Sequence, residues 1–448
     1  MKRSILIWLS LLFLTATSSG SEPLSLKDAL RISIQNNLHI KAKDLLYEAS
    51  KLGKEASDKV YLPRLNLLEN YQRTDNPPMA FTHKLSQRSF EAKDFELYRL
   101  NHPDPISNWH TELRLEQPVF NQGREIITKE AGRLAEGLSQ LELRYTKEVI
   151  AFEVMNTFFQ LLLVREELGC LNSTLKEAEE AERIAKERYN VGSTLYSDVL
   201  NANSFLSQIK TQIYNTSLKE KDFFKRLNLL MGDSKEWILQ DDQTIPDPEQ
   251  GPTSFKEDSL VKEALDKRVD LMLKEMELKD LRLKEKASLY AFYPSLNLYG
   301  KYAWDSQDLS LSSNSYEVGF VLQLNLFNGL SDRSRYKASK KAVESGEQAL
   351  AYLRENVGVE IKEAINAVDG MIRQYHSSLD EVKRAEEALR ILKVRYKEGM
   401  ALFMEVLAME NALKEALLSK ARALYGYKLA IARLHFLSGK ILEVCGGD

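Results

Sequence analysis

The chain has 448 residues, enough for two or three ordinary domains or for one large repeat. Its formal net charge of -3 gives no electrostatic basis for nucleic-acid binding. Only 20 Gly and 11 Pro favour long uninterrupted elements, and two cysteines, Cys170 and Cys445, are too few for a disulfide framework.

Residues 1–20 have the layout of a secretory signal peptide. Two basic residues precede an apolar run from Ile5 to Leu14, and small residues follow, so we expect cleavage near Ser19 or Gly20. A ten-residue apolar run is too short to span a bilayer as a helix. No cysteine follows it directly, so no lipid anchor is expected. Later apolar stretches are also too short, so a membrane crossing would require β-strands.

The rest of the chain is internally duplicated at a spacing of 207 residues. The matching segments are Arg188 to Gly192 with Arg395 to Gly399, Asp198 to Leu200 with Glu405 to Leu407, and Phe120-Asn121 with Phe327-Asn328. This spacing predicts a first repeat over 21–245, a proline-rich linker over 246–255, a second repeat over 256–439 and a tail over 440–448. The first repeat holds 24 extra residues within 74–108, expected to form an outer-surface loop with a short helix near 90–100.

Four strands are predicted, at about 62–73, 109–120, 294–304 and 316–327. In each, apolar and polar residues alternate, as in the series Tyr316, Val318, Phe320 and Leu322. A membrane barrel requires this alternation, but a half-buried soluble sheet shows it too. Since the smallest bacterial outer-membrane barrels have about eight strands, a membrane barrel would require several copies of the chain.

Very long helices are predicted after the second strand of each repeat. Neither proline nor a glycine pair interrupts 124–190 or 332–398, and each would be about 100 Å long at the usual rise per residue. In the second of these, apolar residues recur at steps of three and four, which is typical of a coiled-coil seam. Return helices are expected over about 196–230 and 403–437, after turns at Gly192 and Gly399.

These features together resemble the TolC-like family of outer-membrane efflux proteins. The most specific marks are the Arg-Tyr-x-x-Gly turn followed by Asp/Glu-Val-Leu in both repeats, and the segments Leu62 to Leu67, Tyr293 to Leu298 and Ser25 to Leu30. The resemblance implies a mainly α fold with a β-barrel portion. Three chains would each give four strands to one barrel, and the duplicated hairpins would form a periplasmic tunnel that is closed at its far tip. It also implies a homotrimer in outer-membrane lipid, docked to a periplasmic adaptor and to an inner-membrane pump or ABC-type transporter.

The resemblance also places a periplasmic gate at the hairpin tips. Glu405 matches an acidic residue that lines the closed tip, and Asp198 and Tyr396 match links between neighbouring hairpins. Ala401 and Ala408 stand where one family member has an arginine and a second acidic residue, which implies a looser lock. Alternatively, Glu405 and Asp198 are ordinary solvated acids at helix starts, where the helix dipole favours them. The residues expected to dock the adaptor are Arg188, Tyr189, Gly192, Arg395 and Gly399.

Known catalytic patterns are not found in the sequence. It contains no phosphate-binding Gly-rich loop with lysine, no His-Glu-x-x-His and no Gly-x-Ser-x-Gly, and its six histidines lack metal-ligand spacing. We therefore expect no enzyme, cofactor or metal. The resemblance implies instead an outer-membrane exit duct of a tripartite efflux or type I secretion system, with its tunnel in the periplasm. The alternative is a periplasmic coiled-coil adaptor or scaffold. Adaptors normally have one hairpin and a lipoyl-like domain, so the duplication and the strands favour the channel.

Overall fold

The computed structural model describes residues 22–241, 244–252 and 254–444. The predicted signal peptide and Cys445 lie outside this part of the chain. The chain divides into two units, a hairpin unit of residues 1–40, 147–267 and 359–448 and a sheet unit of residues 41–146 and 268–358. None of the described helices has an apolar stretch long enough to cross a membrane.

The long helices and their return helices are confirmed almost to the residue. The helices are α1 (Leu26–Asn36), α2 (Leu38–Asp58), α3 (Pro77–Ser86), α4 (Leu97–Asn101), α5 (Arg124–Asn190), α6 (Tyr196–Met231), α7 (Glu257–Lys267), α8 (Val269–Tyr290), α9 (Ser331–Lys397), α10 (Phe403–Leu437) and α11 (Ile441–Val444). A 3₁₀ turn occupies Ala92–Phe95. Both α5 and α9 have 67 residues, so the duplication preserves the length of the long helix.

The hairpin unit is held by a core of α5, α6 and α10 and by a short parallel pair of strands, β1 (Glu22–Leu24) and β4 (Trp237–Leu239). Its fully buried apolar side chains include Met155, Phe158 and Leu161 of α5 and Leu227 and Met231 of α6. Helix α1 is fixed to the end of α6 because Ser33 Oγ and Asn37 Nδ2 both donate to the Leu230 carbonyl, at 2.9 and 2.8 Å.

The segment between the repeats packs on α10 through a buried cation. Lys428 is 0% exposed, and its Nζ lies 2.6 Å from Asp241 Oδ2 and 3.0 Å from Asp247 Oδ1. Next to it, a Cβ on Gly251 would clash with the Tyr427 hydroxyl, so a larger residue there would require the buried Tyr427 side chain to move. A lysine ammonium without water needs such partners, and the pairing therefore anchors this segment.

The sheet unit contains an antiparallel four-stranded sheet in the order β2, β3, β5, β6 among its described residues. The strands are β2 (Arg64–Thr74), β3 (Ile106–Asn121), β5 (Ser295–Ser306) and β6 (Ser313–Gln323). The strand predicted at about 316–327 begins earlier and ends earlier. It ends earlier because Gln323 already pairs with Ser295, the first residue of β5, so that 324–327 have no partner in β5.

The two faces of this sheet differ sharply. Pairing puts apolar side chains of all four strands on one face, where Tyr316 and Val318 are 80% and 79% exposed. The other face is polar and charged. There Arg114 Nε lies 2.6 Å from Glu112 Oε1, and Lys301 Nζ lies 3.3 Å from Glu317 Oε2. The sheet therefore turns its apolar face outward instead of burying it under helices.

The insertion between β2 and β3 is more ordered than a loop. Where an outer-surface loop was expected, Pro77 and Pro78 start α3, because proline is well suited to the first turn of a helix. Asn76 caps this helix by accepting a hydrogen bond from the Met79 amide at 3.3 Å. The short helix expected near 90–100 is divided between the 3₁₀ turn and α4.

Candidate functional site

The two helical turns that join α5 to α6 and α9 to α10 have the same local structure. Gly192 and Gly399 have φ values of 74° and 76°, a region that glycine enters without a Cβ clash. The amide after each glycine closes the helix end, Ser193 N to Arg188 O and Met400 N to Arg395 O, both at 2.8 Å. This is the Schellman arrangement, and it explains why the glycine of the Arg-Tyr-x-x-Gly pattern occurs in both repeats.

Below the turns, the four helix ends share one apolar cluster. Its buried members are Ala185 of α5, Val199 and Ala202 of α6, and Phe403 and Leu407 of α10. Tyr396 of α9 packs against them, with its ring centroid 5.8 Å from that of Phe403. The two hairpins of the chain are therefore joined near their tips by apolar packing.

A cation–π contact links the two hairpins at the same level. The guanidinium carbon of Arg188 lies 4.3 Å from the ring centroid of Tyr396. Burial and the charge of Asp198 raise the pKa of Tyr396, whereas Arg188 lowers it. Asp198 also accepts a hydrogen bond from Thr194 Oγ1. The structure therefore brings together three residues named from the sequence, Arg188, Asp198 and Tyr396.

The other candidate residues lie apart from this contact. Glu405 is exposed, and its Oε2 accepts a hydrogen bond from the Leu402 amide at 2.9 Å, which caps the start of α10. The rings of Tyr189 and Tyr196 are tilted against each other with their centroids 5.3 Å apart, and Tyr189 stays 44% exposed. Arg395 is also exposed. Within one chain, Glu405 has the geometry expected of a helix-start acid.

A charged cluster around one buried carboxylate near the tips was not predicted from the sequence. Glu410 of α10 is 7% exposed, and Lys393 Nζ of α9 lies 3.2 Å from its Oε1 and 3.3 Å from Glu177 Oε2 of α5. Burial, followed by the neighbouring Glu177, raises the pKa of Glu410 to about 7, while Lys393 opposes the shift. The available signal was Glu410 itself, because it continues the spacing of Phe403 and Val406 on the buried stripe of α10.

Comparison with known proteins gives one consistent family. The profile of the outer membrane efflux protein family matches residues 29–233 and 260–440. The pyoverdine export outer membrane protein OpmQ of Pseudomonas aeruginosa is 23% identical over 279 residues, covering 59% of this chain and 55% of OpmQ. The alkaline protease secretion protein AprF of the same species is 23% identical over 465 residues, covering 98% of this chain and 90% of AprF.

A solved structure shows the same fold. The CmeC outer membrane channel of Campylobacter jejuni matches with a TM-score of 0.78 at 17% identity, over 93% of this chain and 86% of CmeC. The likeness covers both repeats, so the long hairpins and the four-stranded sheet are features of a shared architecture.

Proposed function

The chain belongs to the outer membrane efflux protein family, and from this premise we propose that it is an outer-membrane exit duct of a tripartite efflux or type I secretion system. It is a passive conduit with no catalytic step. An inner-membrane pump or ABC-type transporter supplies the energy, and a periplasmic adaptor joins the pump to the duct. Relatives named for pyoverdine export and for protease secretion support a conduit with few specific cargo contacts.

The observation that carries this proposal is the two-faced sheet. An exposed apolar face such as that of β6 is unfavourable in water, at roughly 25 cal/mol per Å² of apolar surface, and is satisfied by lipid chains. The charged face of Glu112, Arg114, Lys301 and Glu317 needs water, so it lines the lumen. A four-stranded sheet with free edges cannot stay in a membrane. In the proposed homotrimer, β2 of one copy pairs with β6 of the next and closes a twelve-stranded barrel.

The periplasmic gate is proposed at the helical turns. In a trimer, three Glu405 carboxylates meet at the narrow tip, where they attract cations and repel anions. The Arg188, Asp198 and Tyr396 contact holds the two hairpins of one chain together and so favours the closed tip. The docking surface for the adaptor consists of the outer parts of both turns: Arg188, Tyr189, Gly192, Arg395 and Gly399.

The test is single-channel conductance of the purified full chain in a planar bilayer. We expect small cation-selective openings, and loss of the cation preference in Glu405→Ala. Glu386→Ala is the matched control, because Glu386 is an exposed acid on α9 away from the turn. If selectivity does not change in Glu405→Ala, Glu405 is not the filter.

The rival function, a periplasmic scaffold, is separated by a second measurement. A duct resists extraction from outer membranes by alkaline carbonate, whereas a scaffold is washed off. A monomeric, extractable protein without conductance would overturn the channel proposal.

A further inference from the structure

The insertion between β2 and β3 folds onto one particular face of the sheet. Gln87, at the end of α3, donates from its side-chain Nε2 to Asn108 Oδ1 of β3 at 2.8 Å. The backbone carbonyl of Gln87 accepts a hydrogen bond from Ser313 Oγ of β6 at 2.7 Å. Asn108 and Ser313 lie four residues from Glu112 and Glu317 on their strands, so they share the charged face. The insertion therefore reaches from an edge strand across the polar side of the sheet.

The polar groups beneath α3 form a buried network. Asn108 is 3% exposed, and its Nδ2 donates to Asp305 Oδ1 of β5 at 2.8 Å. His110 Nδ1 lies 3.0 Å from the same carboxylate oxygen. Within the described part of the chain, no group of three or more His, Cys, Asp or Glu side chains is arranged to hold a metal ion. Instead, Asn108, His110 and Asp305 form a polar surface, the seat, on which α3 packs. An open loop would leave these side chains in water.

The chain reverses direction just after α3 in an unfavourable conformation. Arg88 has a φ of 51°, which a residue with a Cβ rarely adopts. Its guanidinium donates to the Asn314 carbonyl at the start of β6 at 2.8 Å. Such a conformation persists only where surrounding contacts determine it, so the reversal is part of the seat.

The insertion also has a core of its own. Phe90 contacts both Phe81 and Phe95, with ring centroids 4.8 and 4.9 Å apart. Lys84 donates to Asp94 Oδ1 at 2.7 Å, and this hydrogen bond lowers the pKa of the Asp94 carboxyl. An insertion with its own packing moves as one body on its seat.

We propose that residues 75–105 form a lid over the outer mouth of the duct, which rests on the luminal face of the sheet and restricts the passage of bulky solutes. This inference rests on the proposed function, because that assignment makes the charged face luminal. The long helices adjoin the opposite ends of β2 and β3, so the insertion lies at the end away from the periplasm. The lid is a second constriction of the duct, at the end opposite the proposed periplasmic gate. Three copies would narrow one mouth together.

The experiment measures thiol access from outside intact cells. Lys301→Cys lies on the charged face, four residues deeper along β5 than Asp305, and Leu311→Cys lies in the exposed β5–β6 turn. Both are made in a chain whose two native cysteines are replaced by serine. Labelling by a long polyethylene glycol maleimide and by a small maleimide is compared in each.

The lid is loosened by Gln87→Ala, with exposed Ser86→Ala as the matched control. Gln87→Ala removes two hydrogen bonds that Nε2 donates, to the Ser107 carbonyl and to Asn108 Oδ1. We expect the long reagent to label Lys301→Cys about fivefold faster or more in this variant, because losing even one such bond changes the open population by about that factor. Ser86→Ala and the small reagent should show little change. Replacing 77–101 by a flexible linker gives the labelling rate of Lys301→Cys without a lid, which is the upper limit for the Gln87→Ala variant.

The two proposals fail in different ways. If Leu311→Cys is labelled but Lys301→Cys reacts equally fast with and without the lid, the lid inference is wrong and the duct stands. If Leu311→Cys is not labelled on intact cells at all, the chain does not present this turn at the outer surface and the duct itself is overturned.

Discussion

The charged cluster near the helical turns makes the stability of this region depend on pH. Glu410 is nearly fully buried beside Glu177, and its Oε2 receives no hydrogen bond from any of the described residues. Protonation removes the repulsion between the two carboxylates. Replacing Glu410 by Gln fixes the neutral form in nearly the same shape, so we expect Glu410→Gln to stabilise this region at alkaline pH.

The size of the effect follows from the shifted titration. A carboxyl whose pKa rises from 4.5 to about 7 on folding binds its proton more tightly in the folded state. Its stabilising contribution is complete below pH 4.5 and is lost as the pH rises through about 7. Between about pH 8 and about pH 5.5 the gain is about 2 kcal/mol, or roughly 25-fold in the opening equilibrium.

Hydrogen exchange of the backbone amides in 403–412 measures this opening directly. Rates are divided by those of an unstructured peptide at the same pH. The wild-type opening free energy should rise by about 2 kcal/mol on acidification, whereas that of Glu410→Gln should stay constant and high. Glu386→Gln, at an exposed acid on α9 outside the charged cluster, is the control and should behave as wild type. Equal pH dependence in wild type and Glu410→Gln would refute the reasoning.

Three further predictions concern backbone geometry, a buried cation and the lid. Gly399→Ala should destabilise the turn by about 1–2 kcal/mol because Gly399 has a positive φ. Gly370→Ala, on the exposed side of α9, should instead stabilise the protein by up to about 1 kcal/mol. Thermal unfolding should show a lower midpoint for the first variant and a higher one for the second. Lys428→Met should lower stability by about 3 kcal/mol, since it leaves the Asp247 carboxylate without its cation; unfolding in denaturant tests this. Burial lowers the pKa of His83, a residue of the lid helix α3, with Asp305 opposing and His110 reinforcing the shift. Protonation below about pH 6.5 should therefore loosen the lid, seen as faster long-reagent labelling at Lys301→Cys relative to Leu311→Cys.

The long helices, their turns and the strands were predictable because each rests on a local and repeated signal. The absence of proline and of glycine pairs predicted each 67-residue helix, with heptad-like periodicity as further support in the second, and a glycine at the same place in both repeats marks a positive φ. The alternation of apolar and polar residues located the strands of the sheet, but the predicted end of β6 lay four residues too far along the chain. The end of a strand depends on its partner, and β5 begins only at Ser295.

The lid and the tip cluster could not be predicted for a different reason. Both depend on contacts between residues far apart in the sequence. The seat of α3 joins Gln87 to Ser313, 226 positions away, and the tip cluster joins Glu177 to Lys393, 216 positions away. Neither partner is unusual alone. Only Glu410, a charged residue on an apolar stripe, could have indicated a buried charge.

The duplication explains how one sequence pattern serves two purposes at the tips. Both repeats carry Arg-Tyr-x-x-Gly, but only Arg188 of the first reaches the tyrosine of the second, Tyr396. The equivalent residues, Arg395 and Tyr189, are exposed. In a closed ring of three copies every hairpin has two neighbours, one from its own chain and one from the next copy. The first junction is closed by the Arg188 contact within the chain. In the proposed trimer, Arg395 and Tyr189 would serve the junction between copies and the adaptor, so the chain would hold its own hairpins together while its outer contacts adjust to its partners.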